Sequence, residues 1–505
     1  MAQKDNQESS CKETTLNTKV NETARAYDVV VVGCGVAGLS AAVAAAEAGG
    51  RVCVLERAPL EERGGNTRYT GAYLRMKSVT EVTDDFEEHF AANSGGYMDP
   101  TLVGDLALDP ATWSPTLRAY SFTDPNVVST LAERAPDTLA WISGFGVKFI
   151  PLDVPFPTSS QPRIVPSGGG LALIDALAAQ FEKLGGTIFY RTAAQSLVTD
   201  DEGRIQGVAA VVEPHRRVTF RAPSVVLASG GFQGNAEMMT RYVGPRSIYL
   251  RGMSLGCNFN KGEGIRMALD IGAAPCGDFG SFHASPMDPR SNRAGPSMYV
   301  YPYGILVNEQ GRRFVDEGPG HTDETYEDVT RNISAQPHGI AYCILDARSD
   351  DLPNLAVAVR TEQPAVTAAT IAELAAKLGL PADVLEATVA AYNAACRPGN
   401  FNPRDTDGLA TVGLTPPKSN WSRPLDKGPY KAYPIISSIV FTFGGLKVNA
   451  RAQVLNQEGD AIPGLYAAGE TQGLYYGSYT GATSVLKGAV FGRIAGTDAV
   501  SRRQR

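Results

Sequence analysis

Gly33, Gly35 and Gly38 stand in the spacing Gly-x-Gly-x-x-Gly, and an acid, Glu56, follows about twenty residues further on. These residue types suit the holding of a dinucleotide. Gly33 permits a tight turn, Gly35 lets backbone approach a pyrophosphate, and Gly38 lets a helix pack closely on a strand. Val36 and Ala37 fall at the helix N-terminus, where free N–H groups and the helix dipole favour phosphate. Glu56, with Arg57 beside it, can accept hydrogen bonds from both ribose hydroxyls and would repel a 2′-phosphate. Gly64, Gly65, Asn66 and Thr67 then offer backbone N–H groups and small donors for a second contact with a phosphate or a ring edge. Gly64-Gly65-Asn66 alone would be an ordinary surface turn.

The elements needed to place these residues are legible. Tyr27 to Val32 is a β-branched run that predicts a buried parallel strand, and Leu39 to Ala48 is an alanine-rich helix. Arg51 to Glu56 is a second strand. The glycine motif is weak by itself and strong between strand and helix. Gly168-Gly169-Gly170 opens a helix over 171–184, and strand-like segments at 187–191, 196–198, 205–212 and 217–221 predict a small antiparallel layer. Val225 to Ala228 is another buried strand ending in the turn Ser229 to Phe232. From about 256 the texture becomes loop-rich, with helices expected at 367–378 and 381–393 and a loop at 398–423. Strands return at 444–448 and 464–470, and a helix closes the chain over 484–500. The fold class is therefore α/β. A Rossmann-like, discontinuous, GR2-type nucleotide domain takes 26–255 and 436–505. An inserted α+β capping domain takes 256–435, and 1–25 is a disordered tail. No internal repeat is found.

Composition narrows the function. The chain has 505 residues, enough for two domains. Its net charge of -7 argues against a nucleic-acid partner. Seven cysteines without a CxxC pair and five unpaired histidines argue against a metal site, an iron–sulfur cluster or a disulfide framework. No apolar stretch suits a membrane span, and the polar tail does not read as a signal peptide. A cytoplasmic location is expected.

Several segments together resemble the flavoproteins that include fumarate reductases, succinate dehydrogenases, aspartate oxidase and 3-ketosteroid dehydrogenases. The carrying residues are Gly33 to Gly38, Glu56, Gly64 to Thr67, Val226 to Phe232, Gly262 to Gly264, Gly304 to Asn308 with Arg313-Phe314, Gly464 to Glu470 and Gly481 to Arg493. Within the family, Thr442 to Lys447 and Tyr479 to Leu486 look most like tricarballylate dehydrogenases. The resemblance implies FAD. It adds Gly230 to the cofactor contacts and gives Glu470 to the ribityl or ribose hydroxyls. Thr483, Ser484 and Val485, at the start of the closing helix, could point N–H groups at the flavin N1/O2 edge. No histidine lies near Gly64 to Thr67, where family members with covalent flavin attach it, so non-covalent FAD is expected.

By the same resemblance the reaction is dehydrogenation of a CH–CH bond in a carboxylate-bearing small molecule, as in tricarballylate to cis-aconitate. The chain departs from fumarate reductases at three points: Phe441 stands where they have a histidine, Tyr479 where they have the substrate arginine, and His321 where they have the proton-shuttling arginine. His283 matches the family's first substrate histidine. His283, His321 and Tyr479 are thus candidate catalytic groups, and Arg163 and Arg331 candidate carboxylate clamps. The plainer alternatives are a structural histidine, an aromatic packing under the flavin and solvated arginines. Tyr299, Tyr301 and Tyr303 share one face if 298–304 is a strand. Such a pocket suits a bulky neutral ketone, as in 3-ketosteroid dehydrogenases. Enoate reduction of the fumarate-reductase kind is a further alternative, and a non-catalytic FAD-binding subunit is a third class. Electrons are expected to pass to a separate acceptor: a protein, a quinone or oxygen.

Overall fold

The computed structural model describes residues 26–95, 112, 114, 123–152, 157–158, 163–353 and 355–501. The tail expected at 1–25 lies outside the described residues.

The first elements follow from their sequence. β1 (Val29–Val32) is four buried valines, which need neighbours on both edges and cover on both faces. α1 (Val36–Glu47) starts directly from Gly35. β2 (Val52–Leu55) lies parallel to β1, Val29 opposite Val52. The turn between β1 and α1 requires glycine at its first position. Gly33 has φ +105°, and a Cβ there would lie 2.3 Å from the Ala228 carbonyl oxygen. α2 (Gly169–Lys183) leads into β3 (Thr187–Phe189), which pairs parallel with β2. Residues 192–199, 205–212 and 216–221 form the antiparallel layer, but 187–189, expected in it, pair parallel in the main sheet instead. β4 (Ser224–Leu227) then lies parallel to β1 on its other edge.

A second sheet occupies the middle of the chain. Its strands are β5 (Phe282–Met287), β6 (Ile305–Val307), β7 (Ile340–Leu345) and β8 (Tyr430–Thr442). β8 is the spine: β5 and β7 pair antiparallel with it, and β6 pairs with β7. Arg251–Gly252 also pairs with β8. This sheet thus extends past residues 256 and 435 at both ends. α3 (Thr322–Ser334) covers it with Tyr326, Val329 and Ile333 buried.

Two local expectations fail here. The tyrosine run is no strand: residues 301–303 make a single 3₁₀ turn around Pro302. The three tyrosines go to different places. Tyr301 is buried in one apolar cluster with Leu306 and Cys343, Tyr303 donates to the Pro403 carbonyl, and of the three Tyr299 alone reaches the cleft described below. The helix expected from 367 begins at Ile371, because Val366–Ala368 pairs with β8. The signal was present in the sequence. Thr370 accepts from the Glu373 N–H at 3.1 Å, and the Glu373 carboxylate accepts from the Ala369 N–H at 2.9 Å, so the Thr-x-x-Glu pattern marks the start.

The chain then returns to the first sheet. Gly445–Leu446 pairs with Pro275–Cys276, apart from both large sheets. β9 (Gln453–Leu455) pairs antiparallel with β10 (Ala461–Ala467), and β10 lies parallel to β4. The order is β9-β10-β4-β1-β2-β3. α4 (Ser484–Ser501) packs along α1. A Cβ at Gly492 would meet the Ala37 carbonyl oxygen at 2.2 Å, and one at Gly496 the Ala41 carbonyl oxygen at 2.1 Å. Glycines one turn apart thus set how closely the two helices approach. Among the described residues no helix is long and apolar enough to cross a membrane.

Candidate active site

A cleft of about 370 Å³ runs from the β1–α1 turn to the face of the second sheet. Its first part gathers most of the expected cofactor residues: Gly33, Gly35, Val36, Ala37, Glu56, Arg57, Gly64, Gly65, Asn66, Thr67, Gly230, Glu470, Ser484 and Val485 all line it. Gly38 and Thr483 stand behind the wall. A Cβ at Gly38 would fall 1.9 Å from the Gly33 carbonyl oxygen, so this glycine shapes the turn. Thr483 is buried, its hydroxyl bonded to Tyr475 and to the Thr480 carbonyl.

Local geometry fits a dinucleotide. A Cβ at Gly35 would meet nothing nearer than 3.7 Å, so the missing side chain leaves space on the cleft side. Glu56 is buried, and its two oxygens accept the Cys34 and Ala58 N–H groups at 2.8 and 2.7 Å. Burial raises its pKa, and these bonds oppose the rise. Arg57 is held by Glu263. Glu470 accepts the Thr442 N–H at 2.8 Å and weaker bonds from Asn260 and Gln233. Burial pushes its pKa up to about 7. Asn66 gives its amide N–H to the Val440 carbonyl at 2.9 Å, tying this loop to β8.

The far part is walled by His283, Ser285, Tyr299, Tyr326, Phe441, Tyr475 and Tyr479. Aromatic rings meet edge to face here: Phe441 and Tyr479 are 5.1 Å apart at 89°, Tyr475 and Tyr479 5.2 Å at 85°. The Tyr479 hydroxyl accepts the Thr483 and Ser484 N–H groups, each at 2.9 Å, and donates to Ser484 Oγ at 3.0 Å. It therefore takes up two of the N–H groups expected to face a flavin. His283 Nδ1 lies 2.5 Å from Glu327 Oε1. Tyr299 and Ser285 hydroxyls are 2.9 Å apart, and burial raises the Tyr299 pKa to about 12.

Of the other candidate residues, only Arg163 lines the cleft. It is buried, 3.9 Å from Asp323, and its pKa is drawn down to about 10 by burial and then by repulsion from Arg75. Arg331 donates to the Phe282 carbonyl at 2.9 Å and lies 3.5 Å from Glu327, outside the cleft lining. His321 stands at the start of α3, bonded to Asp405 at 3.0 Å, and is also outside that lining. Sequence reasoning missed Tyr326 and Glu327, consecutive residues of α3, and Arg360. Arg360 reaches the cleft because Met298 and Val359 form a β-bridge. Only the helical period of α3 offered a signal.

A family model described as "FAD binding domain" matches residues 28–486. The chain belongs to this FAD-binding family, which includes the flavoprotein of fumarate reductase. It is 29% identical to NADH:acrylate oxidoreductase of Vibrio harveyi over 94% of this chain and 50% of that protein. It is 30% identical to urocanate reductase of Eggerthella lenta over 94% of this chain and 74% of that protein. The crystal structure of 3-ketosteroid-Δ4-(5α)-dehydrogenase from Rhodococcus jostii RHA1, in complex with 4-androstene-3,17-dione, matches with TM-score 0.67 and 28% identity, covering 96% and 98% of the two chains. The chain spans about half the length of the first of these relatives.

Proposed function

We propose that the protein is an FAD-dependent oxidoreductase interconverting CH–CH and C=C bonds in a small carboxylic acid with an apolar body. Residues 26–255 and 436–505 serve the cofactor, and 256–435 form most of the cap. FAD, when bound, supplies the two-electron exchange with carbon. The observation that carries the substrate reading is Arg360. Three arginines line the cleft. Arg57 is held by Glu263 and Arg163 faces Asp323, whereas Arg360 has no ion pair among the described residues. An exposed arginine at the mouth can take a carboxylate through two parallel bonds. The aromatic wall then holds the apolar body, while the Tyr299–Ser285 hydroxyl pair can donate to developing charge beside the reacting carbons. With its Nδ1 held by Glu327, His283 can exchange a proton at Nε2. Tricarballylate would set three anionic groups against one such arginine, so a bulkier monoacid fits better. We further propose non-covalent FAD, since His283 is the one histidine among the cleft-lining residues, and a separate electron acceptor.

The test is anaerobic bleaching of bound FAD by a series of saturated acids. Arg360→Gln should raise KM for the responsive acid about 10- to 100-fold, a lost charge-assisted pair of about 1.5–3 kcal/mol, with kcat little changed. A second reading rests on the aromatic wall and the Tyr299–Ser285 pair alone: a neutral cyclic ketone. It predicts bleaching by ketones and no effect of Arg360→Gln. Bleaching by neither class would refute both.

A further inference from the structure

The buried carboxylate of Glu327 is used by no step above except to hold His283, yet it ties its own helix to two separate elements. It is 4% exposed and projects from α3. Its Oε1 lies 2.5 Å from His283 Nδ1 on β5. Its Oε2 accepts the Tyr479 backbone N–H at 2.8 Å, in the segment that leads into α4. Arg331, one turn further along α3, places its guanidinium 3.5 Å from the same oxygen. Burying a carboxylate is costly unless its oxygens are filled. Here both are, by groups from the second sheet and from the segment before α4, whose His283 and Tyr479 rings also lie 4.5 Å apart.

Two consequences follow. An ionised carboxylate only accepts, so Nδ1 of His283 must carry hydrogen, which directs Nε2 to other partners. The Tyr479 amide is fixed only a few residues before the Thr483 and Ser484 N–H groups that its own phenol engages. One side chain therefore sets where the imidazole of the cap stands and where the phenol of the cofactor half stands. We propose that Glu327 is the positioning residue that registers the cap against the cofactor half of the site, holding His283 with one carboxylate oxygen and the Tyr479 backbone with the other. The inference rests on the reading of His283 and Tyr479 as groups that face the substrate.

The experiment uses the FAD-loaded enzyme and compares wild type, Glu327→Gln, Glu327→Asp and His283→Gln. Glutamine keeps the volume but has one acceptor oxygen for two donors. Hydrogen exchange at the peptide containing Tyr479 should speed up at least about tenfold, one lost hydrogen bond of about 1.5 kcal/mol, while peptides of β1 and β4 stay unchanged. With a responsive substrate, kcat should fall about 10- to 100-fold with a smaller change in KM. His283→Gln should lower kcat and leave the Tyr479 peptide as protected as in wild type, because the Oε2 bond remains. Should Glu327→Gln fail to fold, Glu327→Asp decides. It keeps the charge one methylene shorter, and faster exchange confined to the Tyr479 peptide supports the proposal. Wild-type exchange with wild-type kcat in the folded variant overturns it. The exchange readout needs no turnover, so it still reports if no acid or ketone bleaches the flavin.

Discussion

Gly33 and Gly35 lie two residues apart in one motif, yet the structure gives them different physical reasons to be glycine, and alanine at each separates those reasons. At Gly33, φ is +105° and the added Cβ would sit 2.3 Å from the backbone oxygen of Ala228, the residue that follows β4. The conformational strain alone is about 1–3 kcal/mol, and backbone must also move. At Gly35, φ is -74° and the nearest atoms to an added Cβ, Gly64 O and Thr67 Oγ1, are 3.7 Å away, an ordinary contact. The apo fold should accept Gly35→Ala, with about 0.4–1 kcal/mol gained from a stiffer unfolded chain. The methyl group would instead stand in the cleft where a pyrophosphate approaches. Losing one or two charge-assisted N–H bonds of about 1.5 kcal/mol each weakens FAD binding about 10- to 100-fold or more. Thermal unfolding of the apoprotein and titration with FAD, followed by quenching of flavin fluorescence, measure the two effects. Gly33→Ala should lower the apo transition by several degrees. Gly35→Ala should leave it in place and lose affinity. If Gly35→Ala melts early, or binds FAD as tightly as wild type, the assignment of this glycine to the ligand is wrong.

Two further outcomes are expected. The Glu470 pKa is raised by burial from its ordinary value to about 7, so the folded apoprotein binds a proton that the unfolded chain releases between about 4.5 and 7. Apo stability should therefore fall as pH rises through that window, and Glu470→Gln should flatten the fall in denaturant titrations at pH 5 and 8. Lys418 is fully buried, its ammonium donating to the Pro302 carbonyl at 2.6 Å and to the Gly304 carbonyl, which fixes the turn that replaced the expected tyrosine strand. Lys418→Met should cost about 2–5 kcal/mol by leaving two buried acceptors unfilled, seen as faster proteolysis within the cap at unchanged FAD affinity.

The cofactor half of this protein was readable because its information is local. Val29 to Glu56 contains strand, turn, helix and acid within one short stretch, and each residue's job is set by its neighbours in sequence. The substrate half was not, because its residues meet through tertiary contacts that no spacing encodes. Arg360 reaches the cleft through a bridge to Met298, and Glu327 meets His283 from 44 residues away. The family pattern pointed to His321, but the α3 N-terminus turns that side chain toward Asp405. The helix period then leaves Tyr326 and Glu327 as the residues of α3 nearest His283. The tyrosine run misled for a smaller reason: alternation was read through residues 301–303, which turn as a 3₁₀ helix around Pro302.

The strand order of the main sheet also bears on how the chain is made. β10 covers the free edge of β4, and α4 covers α1 through Gly488, Gly492 and Gly496. Both arrive roughly 400 residues or more after β1 has left the ribosome. At about 5–20 residues per second, the strand–turn–helix waits roughly 20 to 90 s with its alanine face and one sheet neighbour uncovered. During synthesis, then, the most recognisable stretch of the molecule has β2 and β4 at its edges while the face that α4 will cover is still bare. A chain cut short before α4 would leave that alanine-rich face of α1 bare.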